Sequence, residues 1–229
     1  MQLLNDPKRL KKYIVQNNLE AILPKEVFES FELTRFGRDE AILIANEPMP
    51  YFYFFVSGKL KVFQIHDNGK AFLIQFYSTF DSLGEVELLN ALDASCSVDA
   101  VMPSELIRIP MSILRQHAID YPPFLQYVAR SLSTKLLVAD RHHASNLLYP
   151  VKNRLASYLR AHENENHVVL LKDSLQDVSE YIGTTYRQLH RAFQQLEEEG
   201  IIARDNKKIV ICSAVKLESI AGNIYGGPF

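Results

Sequence analysis

Leu175 to Glu199, LQDVSEYIGTTYRQLHRAFQQLEEE, constrains the chain more than any other stretch, because it reads as two short amphipathic helices joined by one sharp turn. In the first, Leu175, Val178, Tyr181 and Ile182 recur at the i, i+3, i+7 spacing of a single buried face, and Ser174 with Asp177 supplies a capping-box start. Gly183 ends it, since a residue without a Cβ takes the left-handed backbone that a helix-to-helix turn needs. Thr184 and Thr185 are good caps for the helix that follows. Helix, three-residue turn, helix is the predicted order.

At about 100° per residue the second helix turns Leu189, Ala192, Phe193 and Leu196 to one side and Tyr186, Arg187, His190, Arg191 and Gln194 to the other. That outer side carries donors and no acid. Arg grips guanine O6/N7 with two hydrogen bonds and Gln does the same for adenine N6/N7, so the face has the chemistry of a recognition helix in a major groove. Arg187 and Arg191 are the leading candidates for base contacts, with Gln188 and Gln194 next; Tyr186 and His190 suit phosphates, and Thr185 completes the DNA-binding set. Glu197, Glu198 and Glu199 come only at the far end. After Gly200, Ile201–Arg204 and Ile209–Ile211 read as strands around the polar loop Asp205–Lys208, a wing that offers Arg204, Lys207 and Lys208 to the DNA backbone. The competing reading is an ordinary helical hairpin packed in a core with a solvated polar face.

With 229 residues, 47% of them hydrophobic, the chain can bury a substantial core, and its length suggests two compact units. No stretch approaches the roughly 20 apolar residues that span a bilayer, and MQLLNDPKRLKKYIV lacks the pattern of a secretory signal, so a cytoplasmic location without membrane partners is expected. The two cysteines, Cys96 and Cys212, lie far apart and indicate neither a disulfide framework nor a metal cluster. A formal net charge of −2 argues against indiscriminate nucleic-acid binding; from Pro150 onward ten Lys/Arg meet ten Asp/Glu, so any positive surface must come from local clustering.

Upstream, Pro7–Asn18 reads as a helix whose Lys8, Arg9, Lys11 and Lys12 form a solvated face. From Phe31 to Pro110 the pattern changes to short β runs: 31–36, 41–44, 51–56, 60–65, 71–77, 97–101 and 106–109. Turn signals punctuate them at Asn46–Pro50, Ser57-Gly58, Asp67-Asn68-Gly69 and Met102-Pro103-Ser104. Many short strands at near-regular spacing suggest a sandwich or barrel, with Leu83–Leu89 as a short helical insertion.

This order of strands, Ser57-Gly58 ahead of the Asp67-Asn68-Gly69 turn, then Leu83-Gly84-Glu85 before a short helix, then a long helix and a winged helix-turn-helix, resembles the catabolite-activator and fumarate-nitrate-regulator (Crp/Fnr) family of bacterial transcription factors over nearly the whole chain. The resemblance implies an α+β chain with three parts: a jelly-roll-like β-roll sensor with its N-terminal helix over 1–119, a long dimerisation helix over 120–149, and a winged helix-turn-helix over 150–229. It also implies double-stranded DNA carrying an inverted repeat, a second copy of the chain and RNA polymerase as partners.

The pocket that the resemblance implies is lined by Gly84, Glu85, Ser95, Cys96, Lys135, Ala139 and Asp140. Gly84 and Glu85 match the family's Gly-Glu, whose acid holds the ribose hydroxyl in nucleotide-binding members. Where those members carry an Arg-Ser pair for the cyclic phosphate, this chain has Asp93-Ala94-Ser95-Cys96, with one residue fewer and no Arg or Lys from Gly84 to Val101. A buried phosphate without a cationic partner is costly, so cyclic AMP is disfavoured. Asp140 adds a carboxylate where relatives place hydroxyls. Glu85 is left with two readings, ribose ligand or a cap on backbone N–H groups in its own turn. Cys96 likewise reads either as a redox-responsive thiol or as a small buried hydrophobe.

The first cysteine is Cys96, so the iron–sulfur chemistry of the oxygen-sensing branch is not expected. His66, Cys96, His142 and His143 form no haem-ligand motif. No metal or cofactor is indicated, and the effector stays unassigned.

The long helix starts at Tyr121-Pro122-Pro123. Leu125, Ala129, Leu132, Leu136, Ala139, His143 and Asn146 then alternate spacings of four and three, a coiled-coil seam that most simply pairs with its twin. Its polar end, His143 and Asn146, either specifies register or marks where the helix leaves the interface. After Pro150, a helix over Val151–His162 turns Val151, Leu155, Tyr158 and Leu159 inward, and a strand at Val168–Leu171 precedes the helical pair.

A homodimeric, sequence-specific regulator is the reading these features support. The rival is a small-molecule sensor whose helix-turn-helix contacts protein. An enzyme is not expected, for want of a metal cluster, phosphate loop or nucleophile–base constellation.

Overall fold

The structure, a computed structural model, describes residues 1–65, 71–171, 174–222 and 224, and only the backbone at 71–72 and 141–143. His66 and the Asp67-Asn68-Gly69 turn therefore lie outside the described residues, as do the side chains of His142 and His143. Two compact units are present, Met1–Leu136 and Leu137–Phe229, and their division falls inside the long helix rather than at either of its ends.

The first unit opens with β1 (Gln2–Leu4) and α1 (Pro7–Gln16), the latter capped by Asp6 and shorter than predicted by two residues. Then come β2 (Glu32–Phe36), β3 (Glu40–Leu43), β4 (Tyr51–Ile65), β5 (Ala71–Tyr77), β6 (Asp81–Leu83), α2 (Glu85–Asn90), β7 (Ser97–Pro110), α3 (Met111–His117) and α4 (Pro122–Leu148). The strands form one antiparallel sheet in the order β1-β2-β7-β4-β5, with β3 also paired to β7 and β6 to β4.

Sequence pattern divides this roll too finely. Ser57-Gly58 and Met102-Pro103-Ser104 read as turns, yet β4 and β7 run straight through them. The two breaks lie opposite each other, with Ser57 paired to Glu105 and Lys59 to Met102, and the register shifts on both sides. Both strands therefore bend together as a bulge, which turn chemistry at either site alone cannot distinguish from a chain reversal. Gly58 has φ +110 and packs so closely on Ser104 that a Cβ has no room, while the Ser104 hydroxyl accepts from the Lys59 N–H at 3.1 Å. β1, β6 and α3 carry no signal strong enough to have been predicted.

Phe52, Phe54 and Phe55 of β4 are fully enclosed, because its first half is covered on both faces. Phe54 stacks on Phe80 at 5.7 Å and meets Tyr127 of α4 at 5.8 Å, and Phe52 meets Phe124 at 6.0 Å. α4 thus presents one stripe, Phe124, Tyr127, Val128, Ser131 and Lys135, to its own roll. The predicted seam is a different stripe. Leu125 (37% exposed), Ala129 and Leu136 (62% exposed) face outward, while Leu132 is partly buried against the roll.

The second unit, beyond its share of α4, contains α5 (Val151–Ala161), β8 (Val168–Leu170), α6 (Leu175–Tyr181), α7 (Tyr186–Glu198), β9 (Ile202–Asp205), β10 (Lys208–Ile211) and α8 (Ala214–Ala221). The strands form a three-stranded sheet in the order β8-β10-β9. Its core joins Leu155 and Leu159 of α5 to Val178 and Ile182, to Leu189, Phe193 and Leu196 of α7, and to Ile202 and Ile209 of the hairpin. Among the described residues no helix is long and apolar enough to cross a membrane.

Candidate nucleic-acid interface and effector pocket

Local chemistry builds the α6–α7 pair as the sequence predicts. Ser174 accepts from the Asp177 N–H at 3.1 Å and the Asp177 carboxylate accepts in return, a complete capping box. Gly183 stands at φ +64 in the turn. Thr185 begins α7 with a second capping box, its hydroxyl accepting from the Gln188 N–H at 3.2 Å. The Gln188 amide oxygen closes that box, accepting from Thr184 Oγ1 at 2.8 Å and from the Thr185 N–H and hydroxyl. Gln188 therefore holds the start of the helix, and only its NH₂ is left for a base edge.

Leu189, Ala192, Phe193 and Leu196 are buried, and Tyr186, Arg187, Arg191 and Gln194 are exposed. His190 is half-buried, its ring 4.7 Å from that of Tyr186. The wing is tighter than predicted. Asp205 pairs directly with Lys208, so the turn is the two residues Asn206-Lys207, with Asn206 at φ 54. Lys207 and Lys208 are exposed at its tip. Arg204 is not available as expected: its guanidinium binds Glu197 at 2.6 Å and covers the Phe193 ring at 4.7 Å. The Arg204 partner holds the Glu197 carboxyl below its ordinary pKa.

These pairings engage three of the unit's acids away from the outward side of the first turns of α7. Glu197 is paired with Arg204, Glu199 with Lys152 and Glu218 with Arg160, whereas Arg187, Arg191, Lys207 and Lys208 have no ion-pair partner among the described residues. Two of these four cations lie on α7 and two at the wing tip; the exposed Glu198 and Asp205 on the same elements likewise have no ion-pair partner among the described residues.

In the roll, Gly84 caps α2 at φ +109, wedged between the Met49 and Met111 side chains. This places Glu85, 3% exposed, beneath α4. Its Oε1 accepts from Ser82 Oγ at 2.6 Å, Ser131 Oγ at 2.7 Å and Lys135 Nζ at 2.6 Å. Lys135 also donates to the Ser82 carbonyl at 2.7 Å and lies 3.3 Å from Asp81 and 5.4 Å from the Tyr77 ring centre. Tyr127 donates to Ser82 Oγ at 2.8 Å. Glu85 Oε1 is thus engaged by three side-chain donors from β6 and α4 rather than by backbone N–H groups of its own turn. Burial pushes the Asp81 carboxyl up against the pull of Lys135. Burial also works against the Lys135 ammonium, but Glu85, Tyr77 and Asp81 outweigh it and hold its pKa above the ordinary value.

Lys135 is the cation that the stretch Gly84–Val101 lacks, supplied by α4. Ser82, Ser131 and Tyr127 escape a reading of motifs, although Phe124, Tyr127/Val128, Ser131 and Lys135 do share one helical stripe that could have marked a roll-facing side. Ser95 does not face an open site: its N–H and hydroxyl donate to Glu87 Oε1 at 2.9 and 2.6 Å. Ala139 and Asp140 lie on the part of α4 that belongs to the second unit.

Cys96 is half-buried against the roll core. Burial and the neighbouring Glu87 push its thiol up to about 11. That is opposite to a redox sensor, which needs a readily formed thiolate, and it favours the hydrophobe reading. In a Cys212→Ser variant, iodoacetamide labelling of Cys96 followed by mass spectrometry is therefore expected to run about 10²-fold slower at pH 7.5 than for an ordinary thiol with pKa near 8.5. The rate should keep rising beyond pH 9; a plateau by pH 8.5 contradicts the assignment.

A β-roll whose long helix leads into a winged helix-turn-helix defines a class: a sensor domain joined to a DNA-binding head. Comparison with known proteins agrees, residues 33–120 matching the cyclic nucleotide-binding domain family and residues 153–220 the Crp-like helix-turn-helix domain family. The chain belongs to the Crp/Fnr family of transcriptional regulators. It is 24% identical over 185 residues to the regulatory protein YeiL of Escherichia coli O157:H7, covering 81% of this chain and 83% of that protein. It is 25% identical over 200 residues to the global nitrogen regulator of Nostoc sp., covering 83% and 87%. The fold superposes on the c-di-GMP responsive global regulator CLP of Xanthomonas campestris with a TM-score of 0.74 at 17% identity, covering 83% of this chain and 98% of that one.

Proposed function

We propose that the protein is a homodimeric, sequence-specific DNA-binding regulator acting in the cytoplasm, that two α7 helices read an inverted repeat, and that the β-roll does not take cyclic AMP. The observation that carries the DNA reading is the exposed face of the first two turns and more of α7, Tyr186 to Gln194, which carries Arg187 and Arg191 without an ion-pair partner among the described residues and no acid; Glu198 is exposed only in the last turn, where Glu197 and Glu199 are bound to Arg204 and Lys152. In this reading Arg187 and Arg191 contact bases, Gln194 and the free NH₂ of Gln188 add to them, and Thr185, Tyr186, His190, Lys207 and Lys208 hold phosphates. RNA polymerase is the further partner such a regulator would meet at a promoter. The rival reading, a helix-turn-helix that contacts protein, leaves the donor-only face from Tyr186 to Gln194 unexplained.

Exclusion of cyclic AMP rests on the Glu85 cluster. A cyclic phosphate entering there would meet Asp81, Glu85 and Glu87 with one ammonium, and Lys135 is already engaged twice by the first two. Dimerisation rests on the outward stripe of α4, where Leu125, Ala129 and Leu136 are exposed in one chain, with Leu132 between them and Ala139 after them at seam spacing; His143 would continue it.

A salt-titrated anisotropy assay on random duplexes, with the Leu136→Arg variant alongside, tests the reading. Wild type is expected to sediment as a dimer, to prefer a palindrome, and to lose affinity steeply with salt. Leu136→Arg should sediment as a monomer and lose the palindrome while keeping its far-ultraviolet circular dichroism, because Leu136 is 62% exposed in a single chain and packs against nothing within it that the substitution would break. A salt-insensitive or sequence-blind wild type overturns the DNA reading.

A further inference from the structure

The last turn of α4 and the turn between α6 and α7 are joined by one buried side chain that neither the recognition face nor the roll uses. Arg154, one turn into α5 and 6% exposed, donates through Nη1 to Asn146 Oδ1 at 2.8 Å, to the Gly183 carbonyl at 3.1 Å and to the Ile182 carbonyl. The two carbonyls belong to the C-terminal end of α6, where unsatisfied acceptors and the negative end of the helix dipole favour a cation. From the other side, the Asn146 side chain sits against Gly183 so closely that a Cβ there has no room, and Gly183 needs the left-handed backbone as well. The Asn146 side chain is thus engaged within its own chain. It is the place where α4 grips the helix-turn-helix.

We infer that Arg154 and Asn146 are positioning residues for DNA reading: the guanidinium holds the Ile182-Gly183 turn, and Asn146 ties that turn to the end of α4, so the pair sets the angle at which α7 leaves the long helix. This rests on the DNA-binding reading above. Three properties support it. A planar, permanently charged fork holds direction as well as distance, which a flexible lysine does not. α4 and α5 are separated only by Tyr149 and Pro150, and Pro150 carries no N–H, so few backbone hydrogen bonds fix that junction. The Thr184–Gln188 cap then passes the position of Gly183 directly to the first turn of α7.

In a dimer the angle between α4 and α7 decides how far apart the two heads stand, so the readout is the tolerated spacing between half-sites rather than affinity alone. The inverted repeat that wild type selects from a random duplex library is resynthesised with one base pair inserted at its centre and as a single half-site. Wild type should discriminate against the insertion by about tenfold or more, and Asn146→Ala by no more than about threefold, with half-site affinity unchanged. Asn146→Ala leaves both carbonyl bonds of Arg154 in place, so its unfolding temperature should match wild type. Asn146→Asp keeps the acceptor and should restore the discrimination. If Asn146→Ala keeps the wild-type spacing preference, or if it lowers half-site affinity and thermal stability together, Asn146 only supports the fold and the inference is overturned. If wild type selects no repeat, the DNA-binding reading itself has failed, and this inference with it.

Discussion

Replacing Arg187 and Arg191 together with alanine is expected to abolish sequence preference while leaving the protein folded. Both side chains are exposed and neither has an ion-pair partner among the described residues, so removing them costs no packing and orphans no buried group. A bidentate arginine–guanine contact is worth about 1–3 kcal/mol of discrimination, and a dimer presents four such side chains, so the selected repeat should be bound at least about 10³-fold more weakly. Anisotropy against the selected and a scrambled duplex measures this. The lysine double variant separates charge from geometry: it retains the phosphate attraction and the salt dependence but lacks the planar fork, so it should bind both duplexes almost equally. Lys207→Ala with Lys208→Ala should weaken both duplexes alike and flatten the salt slope. Retained selection in the Arg187→Ala/Arg191→Ala protein removes these two residues from the interface.

The largest stability effect is expected at Lys135. Lys135→Ala leaves the Glu85 carboxylate, 3% exposed, with two hydroxyl donors and no cation, and takes the same cation from the half-buried Asp81. Breaking a buried ion pair by deleting one partner costs about 3–5 kcal/mol. The Lys135 side chain is 22% exposed, so the lower end, about 3 kcal/mol, is expected here. The denaturation midpoint of the roll should fall accordingly, followed by near-ultraviolet circular dichroism of its aromatic core, with the winged-helix transition unmoved. Glu85→Gln with Lys135→Met removes both charges and should lose much less than the sum of the single changes; an additive loss shows that the pair does not act as a unit. The sign of the pH dependence follows from the raised Lys135 pKa. Its contribution is fully present below the unfolded-state value near 10.4 and is lost only as pH rises through the higher folded value, so Lys135 should keep the roll stable at neutral pH and weaken it in strong alkali.

How much of this is legible in the sequence depends on how far apart the interacting residues lie. Both helices of the reading head, their caps and Gly183 were readable to within a residue or two, because periodicity and capping act within one or two turns of chain. The β-roll was recognisable as a class, but its strands were cut at Ser57-Gly58 and Met102-Pro103-Ser104. A bulge and a turn use the same residues and differ only in what lies opposite. Arg204 read as a phosphate ligand because the strand pattern exposes it; Glu197, seven residues earlier on another element, captures it.

The candidate effector site was least legible. Gly84 and Glu85 marked its place, but whether Glu85 is open or engaged depends on Ser131 and Lys135, 46 and 50 residues further along the chain. Likewise Asn146 takes its role from Arg154 and from a turn more than 35 residues away. By itself the sequence determined α6, α7 and the long helix, which face of α7 is apolar, and the left-handed turn at Gly183, since those are properties of neighbouring residues and the solvent. The tertiary structure alone decided which charges remain free. A side chain's partner is chosen by distance in space, and burial makes an unmatched charge costly enough that each acid taken up by a partner changes what the remaining surface can bind.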